Sequence, residues 1–250
     1  MIPGVHQFLN LALQLSIPEA YGPTIPPPSI LPSWEQDACN LVGQLADPLI
    51  PAPKVFFVGD SISFGWPWWD PVNLVQKQGK WDTLFPGLGG WTAFDLAIGG
   101  SLSINCQYQL NLIAANSAAL AKLRQVEFAV VEVGTNDVQA KVSNDVIAVR
   151  TMILVSTLLN LHPSLKVLLY GIFPRTGEVG GESAADANVR ISAINRDVSR
   201  IPGLETASLR YRDLFSELDD PDLFRDGIHP NDEGYKVWAG SIAESLLQPW

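Results

Sequence analysis

The sequence predicts a three-layer α/β/α sandwich built on a parallel sheet. Three observations carry this. From Lys54 onward short apolar runs alternate with longer segments of helical spacing. The runs are continuously apolar, as in strands covered on both faces, where alternation would mark a half-exposed sheet. Strand–helix alternation with right-handed crossovers then closes into parallel strands with helices on both sides.

The elements follow in order. "KVFFVG" gives the first strand, "FDLAIG" (Phe94 to Gly99) the second, "FAVVEVG" (Phe128 to Gly134) the third, "KVLLYGI" (Lys166 to Ile172) the fourth and "ETASLRY" (Glu205 to Tyr211) a weaker fifth. Helical periodicity covers residues 103–123, 142–161, 185–200 and 232–247. Cys106, Leu110, Ile113 and Leu120 form the apolar stripe of the first of these, which makes Cys106 a buried thiol; Cys39 and Cys106 show no metal-binding spacing and either pair or stay free. Residues 54–250 are expected to form one domain. Residues 1–53 are expected to supply an amphipathic helix and a proline-rich connector ("YGPTIPPPSILPSW") packed on it. In the first segment His6, Asn10 and Gln14 share one helical stripe, and no Lys or Arg lies near Met1. That favours a packed helix over a cleaved leader and leans the expected compartment toward the cytoplasm.

Composition narrows the function. The 250 residues carry a net charge of −10 with 16 Lys and Arg, and no basic run. Nucleic acid is not an expected partner. No stretch reads as long and clean enough to span a membrane. The sequence leaves the oligomeric state open.

In a sheet of this kind ligands bind beyond the carboxyl ends of the strands. Gly59-Asp60-Ser61 follows the first strand, Gly99-Gly100-Ser101 the second, Gly134-Thr135-Asn136-Asp137 the third, and "DLFRDGIHPNDEGY" the fifth. Each alone fits turn or cap chemistry, the last with Asn231 as a helix cap. Together, on one sheet edge, they fit nucleophilic catalysis. A serine hydroxyl needs a base, and the base an orienting partner. His229 is the one of three histidines at this edge; His6 and His162 lie elsewhere, His162 at a helix end. Asp226 stands three residues before His229 and is placed to fix its tautomer. Asn136 and the Gly100 N–H are available to an oxyanion. The Gly-x-Ser-x-Gly elbow of α/β-hydrolases is absent around Ser61.

With these residues in view, the chain resembles the SGNH (GDSL-type) hydrolases. Gly59-Asp60-Ser61, "AIGGS", "VGTND" and "DGIHPNDEGY" are similar to the family's blocks, in order, over about Val55 to Leu247. "WDTLFPGL" and "GIFPR" resemble the branch of the platelet-activating-factor acetylhydrolase catalytic subunits. That branch often has Asp where Ser101 stands here. The resemblance implies a flavodoxin-like sheet of order 2-1-3-4-5 and a Ser61–His229–Asp226 triad. It implies an oxyanion hole of Ser61, Gly100 and Asn136, no cofactor or metal, and hydrolysis of small-molecule esters with a short, acetyl-like acyl group through an acyl-enzyme.

"GWPWWDPVN" puts Trp66, Trp68 and Trp69 just after Ser61, either at a substrate pocket rim or covering the core. Bulk there would favour acetyl over decanoyl esters. "PRTGEVGGES" (Pro174 to Ser183) is either a lid or a solvated loop. An acyltransferase, thioesterase or lysophospholipase using the same triad, and a non-catalytic binder on this fold, are the competing readings.

Overall fold

Five apolar runs become strands because nothing in them tolerates water. Val55–Gly59 (β1) and Phe128–Glu132 (β5) are buried along their whole length in a computed structural model that describes residues 32–250 other than 74, 202 and 203. The amphipathic helix expected at the start of the chain lies outside the described residues. Ala93–Asp95 (β4), Lys166–Tyr170 (β6) and Leu209–Arg212 (β7) complete a parallel sheet of order β4-β1-β5-β6-β7. In chain order these five strands run 2-1-3-4-5, the flavodoxin-like arrangement that the sequence implies. Trp69–Asp70 (β2) and Val75–Gln76 (β3) add a small antiparallel pair within the first crossover that was not foreseen.

Gln78–Leu84 (α3) and Asp232–Leu247 (α9) cover one face. Ser103–Ala115 (α4), Ser117–Leu123 (α5), Asn144–Leu161 (α7) and Ala184–Ser199 (α8) cover the other. The expected 103–123 helix is two helices because Asn116 breaks it. The Asn116 side chain accepts the N–H groups of Ala118 and Ala119 and so caps the second piece. Asn231 caps α9 in the same way, with Asp232 and Glu233 in its positive first turn. Helix α7 is, among the described residues, the one helix long and apolar enough to cross a membrane. Its apolar side chains, Ile147, Leu154, Val155 and Leu158 among them, are packed in the core between α4 and α8.

One correction falls at the end of the expected connector. Residues 32–34 do not run on as connector but open a helix, Pro32–Ala46 (α1), that was not foreseen. Proline opens it at a position where no backbone donor is needed. Ala38, Leu41, Val42 and Leu45 then recur at helical spacing, are buried, and seat α1 on α4 and α5. Lys122 of α5 donates to the carbonyls of Asp47 and Ile50 and ties down the exit of α1. Both cysteines are free, Cys39 exposed and Cys106 buried. The buried His162 ends α7 and bonds the Val126 carbonyl at 2.8 Å.

Candidate active site

Ser61 opens a single helical turn, Ser61–Phe64 (α2), directly after β1. The turn begins there because Asp60 Oδ1 accepts the Ile62 N–H at 2.9 Å. Gly59 is required behind it: a Cβ at that position would stand 2.6 Å from Ser63 Cβ and 2.8 Å from the Glu132 carbonyl oxygen. The turn is further held by Tyr235 of α9, whose hydroxyl donates to the Ile62 carbonyl at 2.7 Å.

His229 comes from the other end of the domain, 168 residues on, and its Nε2 lies 2.8 Å from Ser61 Oγ. Its Nδ1 lies 2.8 Å from Asp226 Oδ2. The geometry fits Nδ1–H donating to Asp226 and Nε2 accepting the Ser61 hydroxyl. Asp226 Oδ1 also accepts the backbone N–H groups of Ile228 (3.1 Å) and His229 (2.8 Å), so the carboxylate shapes the loop that carries the imidazole. Partial burial pushes this carboxyl upward, but the bonds from the His229 backbone, the imidazole and Ile228 outweigh it and hold it below its ordinary value. Gly227 has φ +82°, and a Cβ there would meet Gly177 at 2.7 Å. Glycine lets the His229 loop and the Pro174–Ser183 loop touch, and Thr176 N–H bonds the Gly227 carbonyl at 2.9 Å.

Gly100 lies in the left-handed region at φ +78° in an exposed turn beside Ser61; a methyl group on the neighbouring Gly99 would stand 3.9 Å from Ser61 Cβ. Asn136 sits in the first turn of Thr135–Gln139 (α6) and donates one Nδ2 hydrogen to the Ser101 carbonyl at 3.0 Å. A primary amide has a second hydrogen, and that one has no partner among the described residues. Gly134 sets the entry to α6 at φ +123°, where a Cβ would strike Ile172 at 2.6 Å. The turn is fixed from outside as well. Ser101 is buried, and its hydroxyl accepts the indole N–H of Trp34 on α1 at 2.9 Å. Ser63, Asp95, Asp60, Glu132 and Asp137 lie buried around this edge.

Ser61, His229, Asp226, Gly100 and Asn136 thus meet at the carboxyl ends of β1, β4, β5 and β7. The tryptophans do not join them as a group. Trp66 and Trp68 are 2% and 0% exposed and pack among Phe57, Trp81, Tyr235 and Trp238; their apolar area is worth more inside the core than at a wet rim. Trp69, 3% exposed, packs on Phe94 and borders a cavity. The Pro174–Ser183 loop is anchored through Arg175, which is buried, donates to the Thr135 carbonyl at 2.8 Å and lies 3.5 Å from Glu182. Arg175, Trp34 and helix α1 escaped the sequence reading. A lone Arg directly after a buried strand and before a Gly-rich loop was the available signal for the first; proline density hid the other two.

The fold has known counterparts. A proposed acylhydrolase from Bacteroides fragilis is 22% identical with a TM-score of 0.61, over 83% of this chain and 94% of that one. A proposed platelet activating factor structure from Streptococcus pneumonia is 18% identical with a TM-score of 0.65, over 95% and 99% of the two chains. An acetyl xylan esterase is 20% identical with a TM-score of 0.52, over 77% and 99%. No curated protein matches the chain by sequence. Residues 57–237, which hold the Ser61 turn, the Gly100 and Asn136 loops and the His229 loop, match the GDSL-like Lipase/Acylhydrolase family. The chain belongs to that family and is a carboxylic ester hydrolase.

Proposed function

We propose that the protein is a serine esterase that cleaves small-molecule carboxylic esters, acetyl esters included, through an acyl-enzyme. The observation that carries this reading is the unbroken hydrogen-bonded chain from Ser61 Oγ through His229 to Asp226, with both links at 2.8 Å. Ser61 Oγ attacks the ester carbonyl carbon while its proton passes to His229 Nε2. The carbonyl oxygen becomes an oxyanion between the N–H groups of Ser61 and Gly100 and the second hydrogen of Asn136 Nδ2. Collapse breaks the bond to the alcohol oxygen, which takes the proton from His229 and leaves. Water then attacks the acyl-Ser61 ester, His229 again accepts a proton and returns it to Ser61 Oγ, and the carboxylic acid is released. Asp226 stays ionised throughout and supports the imidazolium.

The acyl group needs a different argument from the one the sequence offered. Bulk at Trp66 and Trp68 does not bear on it, because both are core residues. The resemblance to the acetylhydrolase branch still supports a short acyl group. The test is Ser61→Ala assayed with p-nitrophenyl acetate. Turnover is expected to vanish with the thermal transition kept, and near-wild-type turnover in the folded variant would sink the triad.

A further inference from the structure

We infer that helix α1 walls an apolar acyl-chain subsite beside the oxyanion turn, so that residues outside the family-matching segment decide which acyl groups the enzyme accepts. This rests on the esterase reading above and extends it to the substrate's acyl chain.

A cavity of about 410 Å³ borders Gly99, and a Cβ placed on Gly99 would stand 3.9 Å from Ser61 Cβ. Its apolar walls are Leu41, Phe64, Trp69, Pro71, Val72 and Ile98. Leu41 belongs to α1, as do Asp37 and Asn40 on the polar side. Phe64 and Val72 are 36% and 87% exposed, two large apolar side chains left in water at this one place. Exposed apolar groups clustered around a concave space with an apolar wall mark a ligand site. A second cavity, of about 320 Å³, borders the His229 loop; Arg225, Asp232 and Glu233 line it, and it does not suit a hydrocarbon.

The direction of the chemistry says which half of the ester enters. The leaving alcohol must receive a proton from His229 Nε2, so it departs on the side of the His229 loop, at the start of α9. Helix α1 packs with α4 and α5 on the opposite face of the sheet from α9. The cavity therefore lies on the acyl side of Ser61. A dry cavity of about 150 Å³ already holds benzene, so this one has room for an unbranched chain of about eight carbons. Asp37 beside it excludes a chain ending in a second carboxylate and favours a neutral one. The wall is fixed to the chemistry: Trp34 of the same helix bonds Ser101, which in turn accepts from Asn136.

The test uses the full chain with p-nitrophenyl acetate, butyrate and octanoate, and calorimetric titration with octanamide, a neutral probe that the enzyme does not turn over readily. Asn40→Trp projects bulk into the cavity from an exposed position on α1, and Val72→Asp puts a charge at its mouth. Both are expected to lower the octanoate-to-acetate ratio of kcat/KM at least tenfold and to weaken octanamide binding at least tenfold. An unchanged ratio and unchanged octanamide binding in both variants would overturn the subsite, even with acetate turnover lost in Ser61→Ala. Octanamide binding that depends on Asn40 and Val72, with no ester turned over, would keep the subsite and remove the esterase reading instead.

Discussion

Two kinds of carboxylate lie at the sheet edge that carries Ser61 and His229, and they are held in opposite ways. Asp226 is half exposed and receives three hydrogen bonds, from the backbone N–H groups of Ile228 and His229 and from the imidazole, which keep it ionised below the ordinary carboxylate range. Asp60, Asp95 and Glu132 are fully buried under the same edge. Burial raises Asp60 and Asp95 to about 7 and raises Glu132 well above its ordinary value, with the neighbouring Asp60 adding to it. Among the described residues, both Glu132 oxygens and Asp60 Oδ2 find no hydrogen-bond partner. Identical chemistry, one residue from Ser61 and three from His229, thus yields a fixed anion in one place and a proton-holding group in the other. Solvation and donor count decide which.

The sharpest way to break the comparison is Asp226→Asn. Loss of the ionised partner should leave the imidazole in the wrong tautomer and lower kcat by about 10⁴-fold. A loss of only a few-fold would put Asp226 in a loop-shaping role through its backbone bonds alone. Asn136→Ala calibrates this against an uncharged donor. It should lower kcat by about 10²–10³-fold with much less change in KM, since that bond strengthens only as charge develops. A rise in KM alone would make Asn136 a ground-state contact.

Stability against pH separates the two kinds of carboxylate. Asp60 and Asp95 sit near 7 when folded and near 3.8 when unfolded, so the folded chain holds more protons between those values. Their contribution is most favourable below about pH 4 and is lost as pH rises toward 7. Asp226, lowered in the fold, acts in reverse: its contribution is present above its unfolded value and disappears on further acidification. Denaturant melts should therefore show lower stability at pH 8 than at pH 5 from the buried groups. Asp95→Asn keeps Oδ1 as the acceptor that both Ala97 N–H and Ser63 Oγ reach, and should raise Tm at pH 8 by several degrees and at pH 4 hardly at all. An equal change at both values would mean packing, not charge.

The smallest effect reads the same field at a third group. Burial, then the charges of Asp60, Asp137 and Glu132, push the Cys106 thiol well up, while Cys39 is exposed. A thiol reagent should titrate one group in the native protein and two after unfolding, with little effect on turnover. Rapid native labelling of Cys106 would show that this layer opens.

Most of the sheet and the constellation of Ser61, Asn136, Asp226 and His229 was legible because each rests on local signals: an apolar run, then Gly or Asn chemistry at its end. The 232–247 helix and its Asn231 cap were readable to the residue. What escaped was decided by distant partners. Tryptophans after a nucleophile look alike in a rim and in a core until Trp238 and Phe57 are seen against them. Helix α1 has a clear 38-41-42-45 stripe, but the prolines before it outweighed that stripe. The Trp34–Ser101 bond joins residues 67 positions apart, and nothing local announces it.

That bond also bears on how the protein should be made. The family-matching segment ends at residue 237, inside α9, one residue short of Trp238, and begins beyond α1. An expression clone trimmed to those limits would strip Leu41 and Leu45 from one face and Trp238, Ile242 and Leu246 from the other, all core side chains. Sequence boundaries drawn by homology would here cut into both outer layers of the sandwich, whereas a clone that includes α1 and runs through Trp250 keeps both clasps.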